Sequence, residues 1–276
     1  MARGLSIVSR EVMFCREENV KKSIFWSMVI VAFPMTILAV DYDYKETKDF
    51  KTLEETGGIT VFEESFAPYV KDCLDNTFGG TGGIPCLLVS ELWGREVGIY
   101  LARVKKDSRK EALPKLVALE EAWNKSDEGS IELNSSLMDK IHDTRGTMYQ
   151  LMRAGNVDRI FTSINKKRTV MLRLWHLMAS GKENGELKPA TTPELADKAL
   201  NIAYKDLKKV LNEDRRKLLL TAQRAWLKAR DAVVDYCLTQ FGQHTADYML
   251  SYVVSSRTLL LNEWAKIAVK KPDSEM

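Results

Sequence analysis

The stretch Leu218-Leu-Leu-Thr-Ala-Gln-Arg-Ala-Trp-Leu-Lys-Ala-Arg-Asp231 places Leu219, Ala222, Trp226 and Ala229 three or four residues apart. Val233 and Cys237 continue the series, so one apolar stripe runs down a long helix. Upstream, Leu200, Tyr204, Leu207 and Leu211 define a second stripe. Thr191-Thr192-Pro193-Glu194 reads as an N-cap, a proline at the first helical position and an acid in the first turn. Asn212-Glu-Asp214 interrupts the pattern as a tight connection, and Gly242 ends the long helix. A third helix is expected from about Thr245 to Lys270.

The same plan occurs earlier in the chain. Glu91 to Lys125 aligns without gaps on Glu194 to Lys228, with identities that include Leu92/Leu195, Leu116/Leu219 and Trp123/Trp226. Arg168-Thr-Val-Met-Leu-Arg-Leu-Trp175 then matches Arg257-Thr-Leu-Leu-Leu-Asn-Glu-Trp264. The predicted fold class is all-α, a tandem duplication of a three-helix bundle unit. The first unit spans 70–180 and the second 190–270. The first carries extra residues between its landmarks, expected around Ser126 to Ser130. Pro85 falls near the start of the first unit and Pro114 just inside its second helix. Gly58-Ile-Thr-Val-Phe62 is the single stretch where a strand is expected, within a lead-in over 40–69.

Residues 1–39 read as an export signal. Lys21 and Lys22 precede an uncharged apolar run from Ile24 to Val40, broken by Pro34, with a small residue at Ala39. An uncleaved anchor formed by residues 24–40 in the inner membrane is the competing reading. The polar residues before Lys21 suggest an alternative start near Val20. The expected location is the periplasm or cell envelope, an oxidising compartment in which disulfides persist.

Composition narrows the function. Apolar residues make up 45% of the 276-residue chain and charged residues 29%, which excludes a disordered chain. A net charge of +3, with acids and bases interspersed, gives no nucleic-acid footprint. His142, His176 and His244 match no zinc spacing, no Gly-x-Ser-x-Gly elbow occurs, and no cofactor motif stands out. No enzyme, no cofactor and no metal are expected. Cys73 and Cys86 bracket the glycine-rich loop Leu74-Asp-Asn-Thr-Phe-Gly-Gly-Thr-Gly-Gly-Ile-Pro85 and are expected to close it as a disulfide, leaving Cys237 unpaired.

Arg230 and Asp231 read either as a binding pair or as scaffold, with Arg230 bonded to Asp235 or Glu263. The repeated arginines Arg168 and Arg257, like Trp123 and Trp226, read as scaffold. The glycine-rich loop followed by a helix, Leu200-Asn-Ile-Ala-Tyr204, Ala222-Gln-Arg-Ala-Trp226 with Arg230-Asp231, and the late Arg257-Thr258 together resemble the LprI-like lysozyme inhibitors. The resemblance covers two copies, of which the first lacks the Asn and Tyr landmarks. It implies structural roles for Asn201, Tyr204 and Gln223. It also implies an exported protein that binds and inhibits a lysozyme or other peptidoglycan hydrolase, with no nucleic-acid partner. Membrane contact is expected only if the N-terminal segment is retained. Asp75, Asn76, Thr77 and Thr81 of the loop, with Arg230 and Asp231, are the candidate contacts. A non-catalytic envelope scaffold is the alternative.

Overall fold

The residues that predict helix ends are the ones that cap them. In the computed structural model, which describes residues 44–77, 80–139, 147–181 and 191–270, Thr192 accepts a hydrogen bond from the Leu195 N–H and Pro193 opens the helix behind it. Asn212 caps the next helix by accepting from the Arg215 N–H. Gly242 separates the last two helices with φ of 95°, a left-handed conformation that a side chain would strain. The described residues form eight α-helices: α1 Leu53–Thr56, α2 Ile59–Asn76, α3 Val89–Asp107, α4 Leu113–Met138, α5 Thr147–Ala179, α6 Pro193–Val210, α7 Glu213–Phe241 and α8 Gln243–Ala268. Short 3-10 turns occupy Thr47–Asp49 and Gly80–Cys86. No strand occurs among the described residues. Gly58 is the N-cap of α2, and the stretch expected as a strand is helical from Ile59 because Phe62 and Phe66 recur at helical spacing on its buried side.

Three pairings organise the molecule: α3 with α5, α6 with α8, and α4 with α7. The last pair runs antiparallel, since Lys115 reaches Asp235 at one end and Arg215 reaches the Ser136 carbonyl at the other. Between them Gly129 faces Ala222, where a Cβ would stand 3.0 Å from the Ala222 Cα. Gly129 therefore marks a close helix crossing and not a turn. Ser126 to Ser130, expected as an insertion, lies inside α4, where Ser126, Gly129 and Ser130 are buried and Glu128 faces solvent. Set against α7 and α8, the extra length of the first half falls after α4 and in the first turns of α5. Replacing Gly129 with Ala is expected to destabilise the protein by about 1–3 kcal/mol, because the contact is with backbone that has no rotamer to yield. Chemical denaturation would show it, and an unchanged midpoint would mean the crossing is loose.

Two hydrophobic cores result, and each draws on both halves of the sequence. One joins Phe62, Trp93, Leu116, Trp123 and Trp175 to Val233, Tyr236 and Cys237. The other joins Leu133 and Leu137 of α4 to Leu200, Leu207, Leu219, Trp226 and Trp264. The segments 70–180 and 190–270 are thus not separate bundles, because each sends its middle helix into the other's core. The expected lead-in over 40–69 is also part of the first core, through Phe50, Leu53, Phe62 and Phe66. All described residues lie in one compact unit, Tyr42–Met276. No helix among them is long and apolar enough to cross a membrane, and the apolar run 24–40 lies outside them.

Candidate functional site

Where α4 and α7 cross, α5 and α8 flank them and a cleft of about 130 Å³ opens. Its walls are Trp123 and Trp226, together with aliphatic side chains such as Ile164, Met171, Val253 and Leu260. Its charged groups are Asp127, Lys167, Arg168, Arg230 and Arg257. Each tryptophan is 8% exposed and each faces an arginine. The Arg168 Cζ lies 4.9 Å from the Trp123 ring centre, and the Arg257 Cζ lies 5.7 Å from that of Trp226 and 5.0 Å from that of Trp264. Such contacts favour a cation strongly once water is excluded.

The arginines are held by polar residues set into otherwise apolar helix faces. Arg168 forms an ion pair with Asp127. Arg257, 3% exposed, donates from Nε to the Gln223 Oε1 at 3.1 Å and from Nη1 to the Ser130 Oγ at 2.9 Å. Its Nη2 has no hydrogen-bond partner among the described residues. Farther along α4 the Trp264 indole N–H donates to the Asn134 Oδ1 at 3.1 Å. Ser126, Ser130 and Asn134, four residues apart on α4, are buried polar groups on the face that meets α5 and α8.

Burial dominates the titration of the cleft. It pushes the Asp127 carboxyl up to about 6, although Arg168 and Arg257 both pull it down. It lowers Arg257 to about 9, which leaves the guanidinium cationic at neutral pH, and it lowers Arg168 and Lys167 as well. Because the folded pKa of Asp127 lies above its unfolded value, the native state holds this proton more tightly. The associated stability is present below about pH 4 and is lost as pH rises through 6. The groups facing it are Arg168 and Lys167 on α5, Arg230 on α7 and Arg257 on α8, with Glu128 on its own helix. The stability of Asp127→Asn is therefore expected to improve relative to wild type by on the order of 2 kcal/mol between pH 4 and pH 7. Urea midpoints measured across that range check it, and a pH-independent gap would mean the carboxyl titrates normally.

Of the other candidate residues, Arg230 lines the cleft, Tyr204 is partly buried, and Asp231 and Asn201 are exposed. Arg230 bonds Asp231 through Nε at 2.8 Å and Nη2 at 2.6 Å, and its Cζ lies 5.8 Å from the Trp226 ring centre. The two partners considered for it are engaged elsewhere, Asp235 with Lys115 and Glu263 with Arg159. Asp231 points to solvent. Asn201, expected in a structural role, is exposed, and its side-chain amide donates to Asp197 one turn back on its own helix. Tyr204 packs against the second core.

Cys73 and Cys86 form a disulfide with their Cα atoms 5.7 Å apart, and Cys237 is free and buried. Burial raises the Cys237 thiol well above its ordinary pKa, so it is no thiolate nucleophile. The loop that the disulfide closes lies against the bundle. A Cβ on Gly83 would meet Leu151 of α5 and Leu74 of α2, and the Tyr44 hydroxyl donates to the Gly82 carbonyl. Asp75, ion-paired with Lys71, and Asn76, bonded to Asp72, are exposed at the end of α2. Thr77, half-buried, follows as the C-cap of that helix. Thr81 falls in the 3-10 turn. The loop and the cleft are thus built on different residues: α2 and the first turns of α5 hold one, the α4–α7 crossing the other. Among the described residues, no group of three His, Cys, Asp or Glu side chains is placed to hold a metal ion.

Lys167 carries no sequence signal that marks it as a site residue, and Asp127 and Ser130 are marked only as part of the stretch read as an insertion. The available signal was the run of polar residues Ser126, Ser130 and Asn134 on the face that carries Trp123.

Residues 190–259 match the family described as Lysozyme inhibitor LprI. That stretch contains Trp226, Arg230 and Arg257, which line the cleft, and Gln223, which holds Arg257. No curated protein matches the chain. The fold is similar to the crystal structure of an uncharacterized protein from Burkholderia thailandensis, with a TM-score of 0.54 and 20% identity over 73% of this chain and 96% of that one. At that identity the likeness concerns the fold alone.

Proposed function

We propose that the chain is an exported envelope protein that binds and inhibits a peptidoglycan-cleaving enzyme such as lysozyme. The match of residues 190–259 to the lysozyme inhibitor family carries this reading. On this view residues 1–39 direct export, and the protein acts by occupying a partner without catalysing a reaction.

The chain is further read as two tandem copies of the family's unit, the first degenerate. Equivalent residues support this: Trp123 and Trp226 are equally buried, each lies under an arginine, and each arginine is followed seven residues later by a buried tryptophan, Trp175 or Trp264. The antiparallel crossing of α4 and α7 then relates the copies by an approximate two-fold axis that passes between the two tryptophans. For partner contact the candidates are Asp75, Asn76, Thr77 and Thr81 at the disulfide-closed loop, with Asp231 and Arg230 on α7. A loop tied to the bundle at both ends loses little entropy on binding.

The test is lysis of a peptidoglycan suspension by lysozymes of different classes, with and without the oxidised protein. Stoichiometric suppression of one class is expected, and an Asp75→Lys/Asn76→Ala variant should weaken it without altering the fold. Absence of suppression in every class would overturn the reading.

A further inference from the structure

A buried guanidinium nitrogen without a hydrogen-bond partner is costly, and native proteins rarely leave one. The Arg257 side chain is such a case. Two of its nitrogens are held by Gln223 and Ser130, while Nη2 has no partner and the residue lines the cleft. Among the described residues no carboxylate lies within ion-pair distance of Arg257 or of Lys167, which also lines the cleft. Asp127 is engaged with Arg168, and Arg230 with Asp231. With Arg168 paired to Asp127 and Arg230 to Asp231 outside the cleft, two of the four cations lining the cleft have no carboxylate partner among the described residues.

The remaining wall decides what kind of anion fits. Two indole rings and several aliphatic side chains surround the cationic end, so a small hydrated anion would lose water over most of its surface without replacement. A flat anionic head on an apolar body satisfies both ends. The volume, about 130 Å³, is close to that of cavities that accommodate a single benzene ring.

We propose that the cleft between α4, α5, α7 and α8 is a binding site for a small monocarboxylate with an apolar body, its carboxylate on Arg257 Nη2 and Lys167 and its body between Trp123 and Trp226. The site is distinct from the loop proposed for partner contact and does not depend on the inhibitor reading. Asp127 is the internal competitor: its carboxylate engages Arg168 at the same cationic end, so its negative charge opposes an incoming acid.

The experiment is calorimetric titration of the full oxidised chain with benzoate, benzamide and inorganic phosphate at matched ionic strength. Benzoate should saturate a single site in about the millimolar range. Benzamide, with the same shape and no charge, should bind at least about tenfold more weakly, as should phosphate. Lys167→Met should weaken benzoate several-fold, whereas Asp127→Asn should tighten it. Because Arg257→Met removes a buried anchor, its fold is checked by circular dichroism, and the Lys167 and Asp127 variants keep the test decisive if it unfolds. Equal binding of benzamide would reduce the cleft to an apolar cavity, and equal binding of phosphate would make it a general anion site. Absence of saturation by benzoate, or weaker binding by Asp127→Asn, would mean that the cleft is a self-neutralised part of the scaffold. Any of these overturns the proposal.

Discussion

Replacing Trp226 with Ala is expected to lower the unfolding free energy by about 3–5 kcal/mol. The indole is 8% exposed and sits on α7 where that helix crosses α4. It contributes to the core that Leu133, Leu200, Leu219 and Trp264 share. Its ring also faces the guanidinium of Arg257, whose burial is tolerable only with such neighbours. Truncation removes the burial, leaves a cavity beside an existing cleft, and strips a buried cation of one aromatic face. Each core is built from both halves of the chain, so the loss should spread through the whole unit. Urea unfolding followed at 222 nm is expected to remain one transition with a lower midpoint. A loss under about 1 kcal/mol would show that the indole is dispensable to the core, and two separate transitions would show that the halves fold independently.

Removing the disulfide should have the next largest effect. Cys73 and Cys86 are 13 residues apart in sequence and wholly buried, so the crosslink closes a short loop in the unfolded chain. For a loop of this size the chain-entropy model gives about 3 kcal/mol. The double variant Cys73→Ala/Cys86→Ala is expected to lose that amount, seen as a shift in the denaturation midpoint. The loss is local in origin, because the loop clamps the end of α2 onto Leu151 near the start of α5. Cys237 offers no alternative pairing: it is buried in the first core with a thiol held protonated. Oxidative refolding of the chain without residues 1–39, which also removes Cys15, should therefore return one isomer. A double variant as stable as the parent would mean that the unfolded chain is already compact around this loop.

The helical content was readable because it is encoded locally. Thr192, Pro193, Asn212 and Gly242 act on the turn beside them, and the stripes through Leu200–Leu211 and Leu219–Cys237 repeat with the helix itself. The strand expected at Gly58–Phe62 shows the limit of that reading. A short β-branched run is ambiguous in isolation, and only the burial of Phe62 and Phe66 on one side decides for helix. Gly129 shows the same limit in another form. Within a Ser-Asp-Glu-Gly-Ser run it has the composition of a loop, yet it serves as the contact point of two helices because Ala222 needs the space.

By itself, then, the sequence determined that the chain is all-α, where most of its helices start and stop, which tryptophans and arginines recur, and that Cys73 and Cys86 are spaced for a short closed loop. These depend on residues within a few turns of one another. The tertiary structure alone decided that α4 and α7 pair across the halves, that Arg257 reaches Ser130 and Trp264 reaches Asn134, and that the charges of both halves converge on one cleft. Those contacts join residues more than 100 positions apart, and a helical stripe specifies that a face will be buried without specifying which other face will cover it.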